Sequence, residues 1–265
     1  MRITVLANRD LASNIALNLL FKNAPQHTYT VLLSESVGRG ENRPKPLQAL
    51  KFFEQTLMDN IVFPLMDNNP HHDFKLHSFA GFQKLGIRTN NIKDVNNQSS
   101  LQTLAAHKPH LIVSIRFGQI LQQPVIDLPE FGVLNLHSGK LPEYRGVMAT
   151  FWAMAEGQQN MATTLHHIDS AQIDAGPVLS IAEQPIDYQR SYLSNVLSLY
   201  PAGVMQLIDA IDCIDTGSVP KTHSIDINQG KYYRFPDEEA LHQFHQNGLS
   251  LVDYEEVVQI FKDYQ

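Results

Sequence analysis

The sequence predicts an open, doubly wound α/β fold with a mostly parallel sheet. Three observations carry that prediction. Short apolar runs recur at residues 2–7, 29–34, 109–115 and 131–134, and they are near-continuous rather than alternating, as in strands covered on both faces. Stretches with helical spacing of apolar residues separate them. The chain has 265 residues with 43% hydrophobic content, enough for one sizeable domain, or one domain plus a small appendage.

The elements follow in order. Residues 2–7 (RITVLA) are the first strand, and Asp10 is placed to cap a helix running to about Lys22, with Leu11, Ile15, Leu19 and Leu20 near helical spacing. Residues 29–34 are the second strand. Residues 38–46, polar and rich in Gly, Pro and Arg, read as a loop, and Pro46 opens a helix to Asp59. Residues 61–98 hold short helical pieces and leave a strand open. A helix closes over 101–107, a strand runs over 109–115, a short helix lies within 117–128, and a strand spans 132–137. Two strand-like runs follow at 163–168 and 178–186, then a helix from about Tyr192 to Cys213. The tail, 231–265, is rich in aromatics and charges and reads as a small helical appendage. The chain thus divides into a main unit over residues 1–200 and a helical, aromatic extension over 201–265.

Composition sets limits on function. A net charge of −7 makes the chain a poor candidate for charge-driven nucleic-acid binding. The lone cysteine, Cys213, excludes an internal disulfide and suits a reducing compartment. The N-terminal apolar run is stopped by Asn8-Arg9-Asp10, too soon for a signal peptide or a membrane span. The expectation is a cytoplasmic protein with no nucleic-acid or membrane partner. His71, His72, Asp73 and His77 match no familiar ligand spacing, so no metal is expected. Arg116, directly after a strand, either pairs with a buried acid or reaches a ligand. The aromatic run at 232–236 either pins the tail or stacks on a base or sugar.

The residues that carry chemistry lie where a strand meets a loop, at 133–146 (VLNLHSGKLPEYRG). Asn135 and His137 are two apart and point to one face of an extended strand. A carboxamide beside an imidazole can hold and protonate the oxygen of a tetrahedral intermediate. A carboxylate would orient that imidazole, and Asp174, in a turn before Gly176-Pro177, is the candidate. His166 and His167 are adjacent on a strand and face opposite ways, which leaves open the one that meets the site.

Four segments appear in order: Asn135-Leu-His137, Leu141-Pro142-x-Tyr-Arg-Gly146, Thr164-Leu-His166 and Ile173-Asp174-x-Gly176-Pro177. Together they resemble the folate-dependent formyltransferase family over about residues 1–200. The resemblance implies a Rossmann-like formyltransferase domain over 1–200 and an N-formyltransferase whose co-substrate is 10-formyltetrahydrofolate. It implies Asn135, His137 and Asp174 as catalytic. It implies a donor pocket at Phe117, Gln119, Ile120 and Leu121, closed on its other side by the loop that begins at Ile168 and Asp169. The loop residues Ser138, Gly139, Lys140, Tyr144 and Arg145 either read the acceptor or cover the surface.

Two departures shape the acceptor. The turn Ala7-Asn-Arg-Asp10 lacks the glycines with which purine-pathway members hold a phosphate. The short acidic tail differs from the β-rich, basic C-terminal domain of methionyl-tRNA formyltransferases. The expected partner is therefore a small-molecule amine, foremost an amino sugar on a nucleotide. Hydrolysis of formyltetrahydrofolate, or formylation of an amino acid or peptide precursor, are the alternatives. A homodimer docked through the tail is open.

Overall fold

The computed structural model describes residues 1–34, 43–69 and 74–264. Part of the expected 38–46 loop, and the His71-His72-Asp73 run, lie outside the described residues. Strand β1 (Arg2–Asn8) leads into α1 (Leu11–Asn23), whose first turn is capped by Asp10 accepting from the Ser13 N–H at 2.8 Å. Strand β2 (Thr28–Ser34) pairs with β1 in parallel. Helix α2 (Lys45–Lys51) starts one residue before the expected Pro46 and continues through two π-helical turns, Phe52–Thr56 and Met58–Val62, into α3 (Phe63–Asp67). The strand left open within 61–98 is β3 (Arg88–Asn91).

Helix α4 (Gln98–His107), strand β4 (Leu111–Ile115), the short α5 (Gln123–Ile126) and strand β5 (Val133–His137) follow. Next come β6 (Tyr144–Gly146), α6 (Ala149–Ala155), β7 (Asn160–Ile168), β8 (Val178–Pro185) and the long α7 (Tyr192–Asp215). The chain closes with β9 (Lys231–Tyr233), α8 (Glu238–Gln246) and α9 (Tyr254–Tyr264).

Seven strands form one sheet in the order β3-β2-β1-β4-β5-β7-β8. The first five are parallel; β7 runs antiparallel to β5, and β8 antiparallel to β7. This is the mostly parallel, doubly wound sheet expected, with an antiparallel edge built by the runs at 163–168 and 178–186. Both faces are covered. One carries the main core, with Val5, Val113 and Leu136 against α1 and α7 residues such as Leu17, Tyr200 and Leu207. The other carries a smaller cluster of Leu6, Leu32, Ile112 and Val133 with Leu104, Leu121 and Val125. Alternate residues of β5 thus feed the two layers.

The C-terminal segment joins the main core. Leu241, Phe244, Val257, Ile260 and Tyr264 are buried in it, and the Tyr264 hydroxyl donates to Asn14 Oδ1 at 3.0 Å. Glu256 on α9 accepts from Ser191 and Ser194 at the start of α7. The division at residue 200 falls inside α7, so the helices beyond it do not stand off as a separate body. Tyr233, in the aromatic run at 232–236, stacks on Tyr144 and Trp152, and β9 pairs with β6, so the run pins the tail.

Arg116 takes the structural alternative. It is held at φ +54° just past β4, and its Nε donates to Asp10 Oδ2 at 2.9 Å and an Nη to Glu54 Oε1 at 3.3 Å. Glu54 lies on the first π-helical turn, which brings the 52–62 segment against the end of β1.

Candidate active site

Strand β5 ends where the parallel part of the sheet opens, and it delivers Asn135 and His137 to one face. Their cross-strand neighbours on β7 are His166 and Thr164 respectively. The register therefore sets His166 opposite Asn135, and the Asn135 Nδ2 lies 3.0 Å from His166 Nε2. His166 Nδ1 lies 2.8 Å from the His167 carbonyl, which can only accept, so Nδ1 carries the proton. In the neutral form of the ring Nε2 accepts from Asn135; in the protonated form it faces Asp174 Oδ1, 3.5 Å away. The Asn135 contact fixes the amide with its oxygen and second N–H directed away from His166.

His137 is held in the same way. Its Nε2 donates to the Tyr144 carbonyl at 2.8 Å, and its Nδ1 stands 3.7 Å from Asp174 Oδ2. Gly139 permits this closeness, because a Cβ there would stand 2.6 Å from His137 Nε2 and 2.5 Å from Ala149 Cβ. Thr164 fastens the loop, donating to the Gly139 carbonyl at 2.7 Å and accepting from the Leu141 N–H at 3.2 Å.

Asp174 comes from the connection between β7 and β8 and sits at φ +48°, in the left-handed region that aspartate tolerates better than most residues. Its Oδ2 accepts from the Gly146 N–H at 2.8 Å, and its Oδ1 lies 3.5 Å from His166 Nε2. Gly146 has φ +97°, and a Cβ there would meet the Tyr233 carbonyl at 2.1 Å. Burial alone would raise the Asp174 pKa. The His137 charge, the His166 hydrogen bond and charge, and the Gly146 N–H outweigh it and lower the carboxyl to about 2. Asp174 is therefore ionised throughout the neutral range.

The three residues proposed from sequence as catalytic thus converge, and His166 joins them. It was visible as half of a histidine pair. Its facing depends on the β5–β7 register, which no local pattern encodes. His167 faces the opposite way from His166 on β7 and borders a cavity of about 390 Å³ with Gly132, Ile168 and Asp169.

The other donor candidates share one layer in part. Ile168 and Asp169 line that cavity, and Ile168 packs with Phe117 against the smaller core cluster that buries Leu121. Ile120 is half exposed, with its carbonyl accepting from Asn96 Nδ2. The Gln119 amide is tied to the 93–95 segment, accepting from the Val95 N–H at 2.8 Å and donating to the Lys93 carbonyl at 3.1 Å. It is a brace for that loop.

The acceptor candidates separate too. Ser138 is half-buried. Arg145 Nε donates to the Ile173 carbonyl at 3.2 Å, so it anchors the segment carrying Asp174. Lys140 pairs with Glu183 at 2.9 Å, and the Tyr144 phenol donates to Glu156 at 2.8 Å. Gly139, Lys140 and Tyr144 line a second cavity, of about 680 Å³, whose walls include none of Asn135, His137 and Asp174. Among the described residues, no group of three or more His, Cys, Asp and Glu side chains is disposed to hold a metal ion.

Comparison with known proteins adds the following. A family model described as formyl transferase matches residues 52–196. The methionyl-tRNA formyltransferase of Koribacter versatilis is 33% identical over 132 residues, which is 49% of this chain and 42% of that protein. The chain thus covers less than half the length of that relative. Glycinamide ribonucleotide transformylase 1 from Symbiobacterium toebii shares the fold with a TM-score of 0.59 at 14% identity, covering 85% of this chain and 94% of that one. The N-formyltransferase from Helicobacter canadensis, solved with folinic acid and dTDP-3-aminofucose, shares it at 0.56 and 17% identity, over 88% of this chain and 71% of that one.

Proposed function

This chain belongs to the formyl transferase family, and from that premise we propose that it moves a formyl group from 10-formyltetrahydrofolate to the amine of an acceptor. The observation that carries the reading is the convergence of Asn135, His137 and His166 on an ionised Asp174 at the end of β5. The amine nitrogen attacks the formyl carbon, and the carbonyl π electrons move to oxygen. The Asn135 N–H that is free of His166 meets the oxyanion. His137, protonated at both nitrogens, places positive charge beside it, balanced by Asp174. To donate to the oxyanion, Nε2–H exchanges its Tyr144 carbonyl partner for the substrate oxygen. Collapse restores the carbonyl and breaks the bond to the folate nitrogen. His137 gives a proton to that nitrogen as the bond breaks and takes up the one the amine loses, and tetrahydrofolate leaves. Holding both substrates in register supplies much of the rate.

The cavity beside Ile168 and Asp169 supports the donor end. Ile168 gives it an apolar side and Asp169 a polar one. Val133 is two residues from Asn135 on one strand, and His167 adjoins His166 on the other.

We extend the proposal to a small-molecule acceptor, an amino sugar carried on a nucleotide. The net charge of −7 supports it, as does the fold shared with the Helicobacter canadensis protein solved with a nucleotide amino sugar. The similarity to methionyl-tRNA formyltransferase supports an aminoacyl-tRNA instead. The purified chain is to be incubated with 10-formyltetrahydrofolate and a nucleotide amino sugar, methionyl-tRNA, or no amine. Folate release only with the sugar supports the extended proposal, and release only with the tRNA replaces its acceptor. Release without amine makes the protein a hydrolase.

A further inference from the structure

The short strand β6 supplies contacts to two members of the catalytic group. The Tyr144 carbonyl accepts from His137 Nε2 at 2.8 Å, and the Gly146 N–H donates to Asp174 Oδ2 at 2.8 Å. Among the described residues the one strand paired with β6 is β9, from the C-terminal segment. We infer that this segment takes part in formyl transfer through that pairing. Tyr233 and Glu156 are positioning residues: they hold the Tyr144 carbonyl, and through it the imidazole of His137.

The two strands approach more closely than side chains would allow. A Cβ on Gly230 would stand 1.7 Å from the Pro142 carbonyl oxygen, and one on Gly146 2.1 Å from that of Tyr233. The Lys231 N–H donates to the Glu143 carbonyl at 3.1 Å, and the Val147 N–H to the Tyr233 carbonyl at 3.1 Å. Backbone bonds therefore close the pair on either side of Tyr144.

Side chains lock it to α6. The Tyr144 and Tyr233 rings stack with centroids 5.4 Å apart and planes 16° from parallel. Their phenols donate to separate oxygens of one carboxylate, Tyr144 to Glu156 Oε2 at 2.8 Å and Tyr233 to Oε1 at 2.7 Å. Burial alone would raise the Glu156 pKa; the two phenols and the Lys231 ammonium outweigh it and lower it. Burial and that carboxylate push both phenols up, so each stays a donor. Glu156 ends α6, and on the same helix Trp152 stacks on Tyr233 and donates from Nε1 to the Arg234 carbonyl at 3.0 Å.

The grip bears on the chemistry. During attack the Nε2–H leaves the Tyr144 carbonyl for the oxyanion. A carbonyl fixed to α6 and β9 cannot follow the ring. One on a loosened strand can, and it then competes with the substrate oxygen. A misplacement of about 1 Å costs ~10²-fold in rate, so losing one phenol bond with the backbone pairing intact should cost about tenfold.

The inference rests on the formyl-transfer reading for its kinetic arm only. In the intact protein, Glu156→Ala and Tyr233→Phe should each lower kcat about tenfold, with donor KM and circular dichroism unchanged. Glu156→Gln keeps an acceptor oxygen and should restore most of the rate. The second readout needs no folate. It is the proton NMR resonance of the carbonyl-bound Nε2–H of His137, identified by its loss in His137→Ala. It should shift upfield or broaden in Glu156→Ala and Tyr233→Phe, and hold its place in Glu156→Gln. Four results would each overturn the inference: parental kcat in both Glu156→Ala and Tyr233→Phe, a loss confined to donor KM, a Glu156→Gln variant no faster than Glu156→Ala, or a resonance unmoved in all variants of Glu156 and Tyr233. If the parent transfers no formyl group, the formyl-transfer reading fails by itself, and the resonance alone decides whether the segment positions His137.

Discussion

Replacing Asp174 by Asn keeps the shape of the side chain and one acceptor for the Gly146 N–H, and it removes the charge that faces His137 and His166. The native carboxyl is lowered from 3.8 to about 2, so its ionised form is favoured by close to two pH units, or roughly 2–3 kcal/mol. Because the folded-state value lies below the unfolded one, this contribution is fully present above about pH 4. It is lost as pH falls toward about 2. Asp174→Asn should therefore unfold in urea at lower concentration than the parent near neutral pH, by about that free energy. The gap should close in acid. In the same variant kcat should fall while donor affinity holds, since the lost charge acts on the imidazolium and not on the pterin. Equal stability of the two proteins near pH 7, with parallel acid titrations, would refute the reasoning.

Other substitutions separate chemistry from scaffolding. Asn135→Ala should lower kcat by about 10²–10³ with the fold intact, read by steady-state transfer and circular dichroism. Leu121→Ala should cost about 2–5 kcal/mol in denaturant unfolding, as a buried core truncation does, and should leave affinity for a stable folate analogue nearly unchanged. Arg116→Met should cost roughly 3–5 kcal/mol in the same assay, because it removes the guanidinium that pairs with both Asp10 and Glu54. Arg145→Gln should lower kcat more than it raises acceptor KM, since the guanidinium holds the Ile173 carbonyl beside Asp174; a selective rise in acceptor KM would instead make Arg145 a reader of the acceptor.

The alternation of β5 was legible because strand period puts Asn135 and His137 on one face whatever else the chain does. The doubly wound sheet was legible for a similar reason: β1, β2 and β4 are covered on both sides, so their apolar runs are continuous. Pairings between distant segments were not. His166 meets Asn135 only because β7 returns antiparallel to β5 in one register, and a shift of one residue would have brought His167 there instead. Gln119 sits in a segment that suggested a donor pocket, yet its amide closes on residues 93–95, a contact set by how two loops pack. The α9 residues Val257, Ile260 and Tyr264 show helical spacing in sequence. That spacing declares an apolar face without naming the surface it covers, and the surface is the main core.

The account's central claim is that the group at the end of β5 drives amine-dependent formyl transfer. The most direct measurement follows one sample by two readouts: tetrahydrofolate release by absorbance and formylated amine by mass spectrometry, for the parent and for His137→Ala. The account predicts that the parent forms the two products in equal amounts, only when amine is present, and that His137→Ala still binds a folate analogue but forms neither at an appreciable rate. Tetrahydrofolate released without amine, or formylated product formed at the parental rate by His137→Ala, would contradict it.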